Sequence, residues 1–555
     1  MGLVQNTMDN VSFFIPTHQV PCLIKNLRPY FQSSDKDELA ASNVEVLQDA
    51  FNRTKAAIFS HRFVPRKFHP GKAAFEPEIS DLKRKLQSVT IEMTSPTKFS
   101  KGNTSLILEE SYSLEISANG SALILTGSVI GGLHALETFA QLFYAHSQSK
   151  VESYTSYAPI SIVDGPAFKH RGLNLDISRN CIPPSDVMRV LEAMACNKMN
   201  RLHIHASDAQ SWPLEVPTLP NLALEGAYEP SQIWTTEDLR HVQRYGQLRG
   251  IEVYLEIDIP GHTTAIAMSQ PELVTAANRE PWPVYAEEPP SGQLRLNSTE
   301  VFTFLTSLLG DVLPRNAQFS HIFHFGGDEL NLNAYGLDPS VNSTSKDVLR
   351  PLLQSFMNHV FDMAMKHSLT PILWEEMLLD WDLSVPDSTI IQTWRSNEAL
   401  SKVLSRGHRV LFGSSTHFYL DCGHGAFLDP ANPQEPNDDP RVRPPYLDHC
   451  GPYKNWRHVY SYNPLAGIPD NQLHLILGGE VHMWGEMTDT VTLDGMLWPR
   501  TAAAAEVLWR GPGTPVSEHT TRRLAEMRER LLLKGVAAGM VQMEWCLRNL
   551  GGCTL

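Results

Sequence analysis

The sharpest chemical feature of this 555-residue chain is the run His324-Phe325-Gly326-Gly327-Asp328-Glu329. Neighbouring side chains on a strand point to opposite faces. Asp328 and Glu329 can therefore serve one substrate only where a strand stops and the backbone turns. The two glycines before them permit unusual φ/ψ and close approach of a ligand. A carboxyl pair gathered at one turn is a candidate for acid–base chemistry. The bland alternative is a glycine turn carrying two solvated acids. A second constellation, Asp258-Ile259-Pro260-Gly261-His262, sets a carboxylate and an imidazole on either side of a Pro-Gly turn.

Such groups need a scaffold, and the hydrophobic pattern after residue 165 supplies one. Eight short apolar runs recur: Leu173 to Ile177, Leu202 to Ile204, Glu252 to Ile257, Ile322 to Phe325, Pro371 to Leu373, Thr389 to Gln392, Val410 to Phe412 and His474 to Leu477. Helical stretches lie between several of them. Ser185 to Ala195 follows Pro183-Pro184, Thr235-Thr236-Glu237-Asp238 has the form of a capping box, and Val348 to Lys366 is a third. Strands alternating with helices over roughly 340 residues predict a (β/α)8 TIM barrel, with a doubly wound open sheet as the alternative.

The barrel is preferred because all its strand ends open on one face. Those ends present Asp176 and Arg179; His205 and Asp208; Asp258 and His262; Asp328 and Glu329; Trp374, Glu375 and Glu376; Trp394 and Arg395; Tyr419 and Asp421; Glu480, Trp484 and Glu486. Aromatic faces stack on sugar rings while carboxylates accept hydroxyl hydrogens, so this set describes a carbohydrate site. For each tryptophan alone, core packing is the default.

The texture before residue 165 differs. Alternating segments at Ser105 to Leu108, Ser113 to Ile116 and Ala122 to Thr126 read as strands of a half-exposed sheet. They lead into a helix over Val129 to Phe143, opened by Gly131-Gly132. Residues 1–165 are thus expected to form a smaller α/β accessory domain, and 166–555 the catalytic domain with a C-terminal tail. The first region has no HExxH or other metal-ligand spacing, and neither a metal nor a cofactor is expected.

A formal net charge of -15 repels phosphate backbones, which argues against a nucleic-acid partner. No apolar run reaches the ~18 residues of a membrane span. Of seven cysteines, Cys546 and Cys553 lie seven apart, and Cys422 and Cys450 bracket a Pro- and Asp-rich loop. Short loops closed by cysteines suit an oxidising compartment. Sequons at Asn10, Asn52, Asn103, Asn119, Asn297 and Asn342 add to this, the last four being the glycosylation candidates. The opening MGLVQNTMDNVSFF lacks a basic segment followed by an apolar stretch of roughly 7–15 residues. A secreted, extracellular or vacuolar protein is nonetheless expected.

Taken together, these motifs resemble glycoside hydrolase family 20, the β-N-acetylhexosaminidases. His324 to Glu329 match the family's His-x-Gly-Gly-Asp-Glu in full. Arg171-Gly172-Leu173 through Asp176-Ile177-Ser178-Arg179 is similar to its first barrel strand, and Asp258 to His262 to its Pro-Gly-His turn. Tyr419-Leu420-Asp421, Trp484-Gly485-Glu486, and Trp498-Pro499-Arg500 with Ala505-Glu506 and Leu508-Trp509 follow in the family's order. Tyr112 to Phe143 is similar to the end of its N-terminal, zincin-like domain. The resemblance covers most of the chain from about residue 100 onward, and the Asp421-Cys422-Gly423 loop and the C-terminal cysteine pair are most similar to fungal secreted members.

The resemblance implies an exo-acting, retaining enzyme without a cofactor. It would release terminal N-acetylglucosamine or N-acetylgalactosamine from β-linked N-acetylhexosaminide oligosaccharides, whether chitin oligomers or glycans. The substrate's own acetamido oxygen attacks the anomeric carbon and forms an oxazolinium ion. Glu329 is then acid and base, a role that asks for a raised pKa. Asp328 stays ionised, orients the acetamido group and stabilises charge on its nitrogen. His262 and Asp208 form a relay behind Glu329, and Tyr419 hydrogen-bonds the acetamido oxygen. Arg179 grips the 3- and 4-hydroxyls, Asp421 and Glu486 bind the 4- and 6-hydroxyls, and Trp374, Trp394 and Trp484 wall the pocket. Homodimers are common in the family.

The chain departs from the pattern in three places. Ile204 stands where many members carry Trp, Ala209 where Asp is usual, and Cys422 follows Asp421 where an arginine would mark a site for sulfated or sialylated sugars. An inactive sugar-binding relative would have lost an acid, and both are present. A chitinase would carry Asp-x-x-Asp-x-Asp-x-Glu, which is absent.

Overall fold

The computed structural model describes residues 13–15, 22–25, 43–71, 73–79, 84–94, 109–149, 153–430 and 439–555. Within them eight parallel strands close into a barrel in chain order. These are β1 (His170–Asp176), β2 (Arg201–His205), β3 (Glu252–Glu256), β4 (Ile322–His324), β5 (Thr370–Trp374), β6 (Ile390–Thr393), β7 (Arg409–Phe412) and β8 (Ile476–Met483). β8 returns to β1 with Val481 opposite Leu173, so the ring has no edge and the open-sheet alternative falls. The strands are buried almost throughout, as parallel strands beneath a helical cover must be.

The local signals act as read. The helix Pro184–Cys196 carries its proline in the first turn, where no backbone N–H is needed. Thr235 and Asp238 cap the helix Thr236–Gln247 reciprocally. Ser298 caps Thr299–Asn316, and Lys346–Lys366 follows β4.

The eighth strand needs correction. It runs over Ile476–Met483, not His474 to Leu477, because Gly478-Gly479 looked like an end. A Cβ at Gly478 would meet the His170 carbonyl at 1.9 Å, and one at Gly479 the Phe412 carbonyl at 2.2 Å. Neighbouring backbones come so close that only glycine fits inside this strand. Glu480 consequently lies within the barrel core and not at its mouth.

The smaller domain carries a five-stranded sheet in the order Cys22–Lys25, Ser88–Met93, Ser121–Thr126, Tyr112–Ile116, Ile160–Asp164. Alternate residues of Ser88–Met93 and Ser121–Thr126 are buried, facing the helices Asn43–Phe59 and Val129–Gln141. Gly131 and Gly132 let the second helix approach: a Cβ would meet Thr126 at 2.2 Å or Leu47 at 3.1 Å. The strand expected at Ser105 to Leu108 lies outside the described residues.

Two largely buried ion pairs join this domain to the barrel. Arg171 Nη2 lies 2.5 Å from Glu110 Oε2, and Lys198 Nζ lies 3.1 Å from Asp164. Both cations rest over the Trp509 ring. The helix Glu518–Leu533 adds Arg530, which donates to the Gln141 carbonyl.

Cys422–Cys450 and Cys546–Cys553 are disulfide-bonded. Asn119, Asn297 and Asn342 are exposed, whereas Asn103 lies outside the described residues. Among the described residues no helix is long and apolar enough to cross a membrane.

Candidate active site

The chain after β4 turns through two glycines in left-handed backbone, Gly326 at φ +62° and Gly327 at φ +103°. A Cβ at Gly326 would sit 1.8 Å from Asp258 Oδ1, and the Gly327 N–H donates to that same oxygen at 2.9 Å. Asp258 at the end of β3 thus pins the turn that carries Asp328 and Glu329. Glu329 itself has φ +53°, an unusual conformation for a side-chain-bearing residue. Both acids line one cavity of roughly 340 Å³ at the C-terminal mouth of the barrel.

His262 stands behind Glu329, with Nε2 3.4 Å from Glu329 Oε2 and 3.8 Å from Asp328 Oδ2. Its Nδ1 lies 3.1 Å from Asp208 Oδ1. Asp208 is fully buried, and its other oxygen meets Arg179 Nη2 at 3.0 Å and His205 Nε2 at 2.7 Å. Burial disfavours a charged His262, but Asp208, Asp258 and Glu329 outweigh it and raise its pKa well above the ordinary value.

The raised pKa expected for Glu329 is not what this geometry produces. Burial pushes the Glu329 carboxyl up, yet the hydrogen bond and charge of His262, with Arg179 and His449, bring it below the ordinary range. Both shifts favour the proton on His262 over Glu329. Asp328 behaves oppositely: burial and then the neighbouring Asp258 carboxyl push it well above the ordinary value. Burial lifts Asp258 in turn to about 6. Asp328 Oδ1 is buried without a hydrogen-bond partner among the described residues, an acceptor ready for a ligand donor.

Aromatic residues close one side of the cavity. Trp394 and Tyr419 stack with ring centroids 6.1 Å apart, and Tyr419 and Trp484 lie 6.3 Å apart. Trp374 stands one layer back, 1% exposed, 6.0 Å from Trp484 and donating to Glu256 at 2.8 Å. Asp421 and Glu486 line the cavity beside Arg179, which lies under the Trp484 ring at 5.1 Å. Burial lifts Asp421 to about 6 and Glu486 well above its usual value. Asp421 Oδ1 also lacks a partner among the described residues.

Several trios of His, Asp and Glu in this region place ligand atoms within 4.8 Å of one another. The most buried of them, His203, Glu256 and His324, has its two imidazoles stacked 4.7 Å apart at 22°. Stacked rings do not aim their lone pairs at one point, so this trio fits a hydrogen-bond network better than a cation.

The model for "Glycosyl hydrolase family 20, catalytic domain" matches residues 168–512, and the model for "beta-acetyl hexosaminidase like" matches 16–142. The chain belongs to glycosyl hydrolase family 20. As a member it is a glycoside hydrolase of the β-hexosaminidase type. It is 47% identical over 525 residues to a β-hexosaminidase of Arthroderma benhamiae, covering 92% of this chain and 86% of that one. It is 33% identical over 470 residues to a chitooligosaccharidolytic β-N-acetylglucosaminidase of Ostrinia furnacalis, covering 81% and 76%. The chitobiase structure of Flavobacterium johnsoniae superposes with a TM-score of 0.70 at 25% identity, covering 96% of this chain and 72% of that one.

Of the three departures from the resemblance, Ala209 donates its N–H to Asp208 Oδ1 and Cys422 packs against Tyr419 and Trp484. Ile204 is fully buried in the apolar layer between the barrel strands and the helices, while its neighbours His203 and His205 take part in the interior hydrogen bonds. Cys422 is spent on the disulfide that ties the loop after β7.

Sequence reasoning missed several residues of this family 20 cavity. Glu288 holds Arg179 Nε at 2.5 Å and accepts from Gln210 Nε2 at 3.0 Å. It sits in the Pro-rich insertion between β3 and β4, away from any strand tip. Phe427, Arg441 and His449 line the cavity from the loop that Cys422 and Cys450 close. The bracketing cysteines at the tip of β7 were the available signal for that loop.

Proposed function

We propose that this enzyme releases terminal non-reducing N-acetylhexosamine from β-linked oligosaccharides, with retention, by substrate-assisted catalysis. The observation that carries the reading is the placement of Asp328 and Glu329 on one glycine turn in a single hollow, with His262 behind Glu329 and an aromatic wall beside them.

In the first step the acetamido oxygen bonds to the anomeric carbon as the glycosidic C–O bond breaks. Glu329, having taken the proton that His262 holds, gives it to the leaving oxygen. Asp328 accepts the acetamido N–H, and its charge offsets the positive oxazolinium. Water then attacks the anomeric carbon, Glu329 takes its proton, and the ring opens to the retained product. Tyr419 donates to the acetamido oxygen, and Trp394 and Trp484 contact the methyl and the sugar face. Arg179, Asp421 and Glu486 would fix the hydroxyls, which makes the hollow a terminus-binding, exo-acting site.

The named activities of the Ostrinia and Flavobacterium relatives support chitin-type oligomers as substrates. The disulfides and exposed sequons support an oxidising extracellular or vacuolar compartment.

The test is release of 4-nitrophenol from its N-acetyl-β-glucosaminide by the parent and Glu329→Gln. A loss of about 10²–10⁴ in kcat is expected, smaller with better leaving groups that need less protonation. Equal rates would remove Glu329 from the acid role, and no hydrolysis by the parent would overturn the activity.

A further inference from the structure

Barrel interiors are ordinarily filled by branched aliphatic side chains. This one holds two fully buried glutamates. Glu480 accepts from His170 Nε2 at 2.6 Å, Tyr254 OH at 2.7 Å, Gln392 Nε2 at 3.0 Å and His203 Nδ1 at 3.1 Å. Glu256 accepts from His205 Nδ1 at 2.6 Å and Trp374 Nε1 at 2.8 Å, with His203 Nε2 3.1 Å away. His205 Nε2 lies 2.7 Å from Asp208. A column of alternating acids and imidazoles therefore runs Glu480, His203, Glu256, His205, Asp208, His262, Glu329. Burying so much charge is costly unless it is fully paired, and an apolar filling would serve packing at least as well.

We propose that His205, braced by Glu256, is a positioning residue for the acid/base: it holds Asp208 from behind and so sets how firmly Asp208 keeps the proton on His262 that Glu329 needs. The inference rests on the acid/base reading of Glu329 given above.

Both nitrogens of His205 face carboxylate oxygens at hydrogen-bond distance. Ionised carboxylates only accept, so His205 donates on both sides and is a cation. Arg179 shares that oxygen of Asp208, and the Ala209 N–H donates to the oxygen that faces His262, so His205 is one of three groups that draw on the charge binding His262. The proton can then pass from His262 Nε2 to Glu329 Oε2, leaving a neutral imidazole that still donates to Asp208 and a neutral acid facing the substrate. Other groups around His205 are Asp176 at the end of β1 and Arg179 after it, His203 on β2, Asp258 just past β3 and the edge of Trp484 at 5.1 Å. Those around Glu329 are Asp328, Arg179, Glu287 and His449.

The experiment is the pH dependence of kcat and KM for His205→Gln and Asp208→Asn, with thermal melting of each. Losing the His205 cation leaves Asp208 pulling harder on the His262 proton. His205→Gln is therefore expected to lower kcat about tenfold, with KM changed less than about twofold. It should move the alkaline limb up by roughly half a unit to one unit. Asp208→Asn should move that limb down. Loosened packing would lower activity without opposite shifts, so an unmoved limb, or shifts of the same sign, overturns the proposal. His205→Asn is read the same way if the Gln variant does not fold. In the parent, imidazole ¹⁵N shifts should report His205 charged between about pH 5 and 8. A neutral His205 there overturns the proposal whether or not the parent hydrolyses the aryl glycoside.

Discussion

His262 and Glu329 face one another across 3.4 Å, and each holds left-handed backbone, at φ +52° and φ +53°. They come from the turns after β3 and β4. Those turns touch through glycine, since a Cβ at Gly261 would lie 3.0 Å from the Asp328 carbonyl. Each left-handed residue costs about 1–3 kcal/mol, offset by the barrel that fixes the strand ends beneath it. Strain in two turns is thus converted into one imidazole–carboxyl contact.

Asp328 has to be charged for its proposed role, while burial and the Asp258 carboxyl push its pKa well above the ordinary value and Asp258 itself sits at about 6. Activity should therefore fall on the acid side at a pH above the usual aspartate value of about 3.9. Asp258→Asn removes the like charge and should shift that limb of kcat/KM down by about one unit. A stationary limb would take Asp258 out of the account.

Gly326→Ala is expected to be worse than Gly327→Ala. At 326 a methyl meets the Asp258 carboxylate at 1.8 Å, whereas at 327 it meets the flexible Met377 side chain at 2.7 Å. Left-handed backbone strain adds about 1–3 kcal/mol to each. Melting temperature and kcat should both drop in that order.

Cys422 packs in the cluster of Trp374, Tyr419 and Trp484, while Cys450 lines the cavity. Cys450→Ser should raise KM, because it frees a loop of 28 residues whose closure is worth at most about 3–4 kcal/mol. Cys553→Ser, in the exposed tail, should leave KM unchanged. Steady-state kinetics of the two variants decides the matter.

Burial pushes the Glu110 carboxyl up, but Arg171 and His134 outweigh it and hold it well below the ordinary range. Its folded pKa is depressed, so its stabilisation is complete above the unfolded value of about 4.3 and is lost as pH falls below that. Glu110→Gln strands the buried Arg171 and should cost about 3–5 kcal/mol at neutral pH. The gap between the two melting curves should narrow below about pH 4.

The sequence by itself determined the barrel and the identity of its reactive groups. Strand runs, the Thr235 capping box and the Gly-Gly-Asp-Glu turn are local patterns, and each acts through its own backbone or immediate neighbours. The end of β8 was misread because the crowding that requires Gly478 and Gly479 comes from His170 and Phe412, which are remote in the chain. Only the tertiary structure decided how the reactive carboxyls are tuned. The pKa of Asp328 is raised by burial and then by Asp258, and that of Glu329 is lowered against its burial by His262 and Arg179, groups that the fold brings in from other turns. The interior column from Glu480 to Asp208 was illegible for the same reason. Charge–charge energies depend on separation in space, and separation along a chain does not encode it.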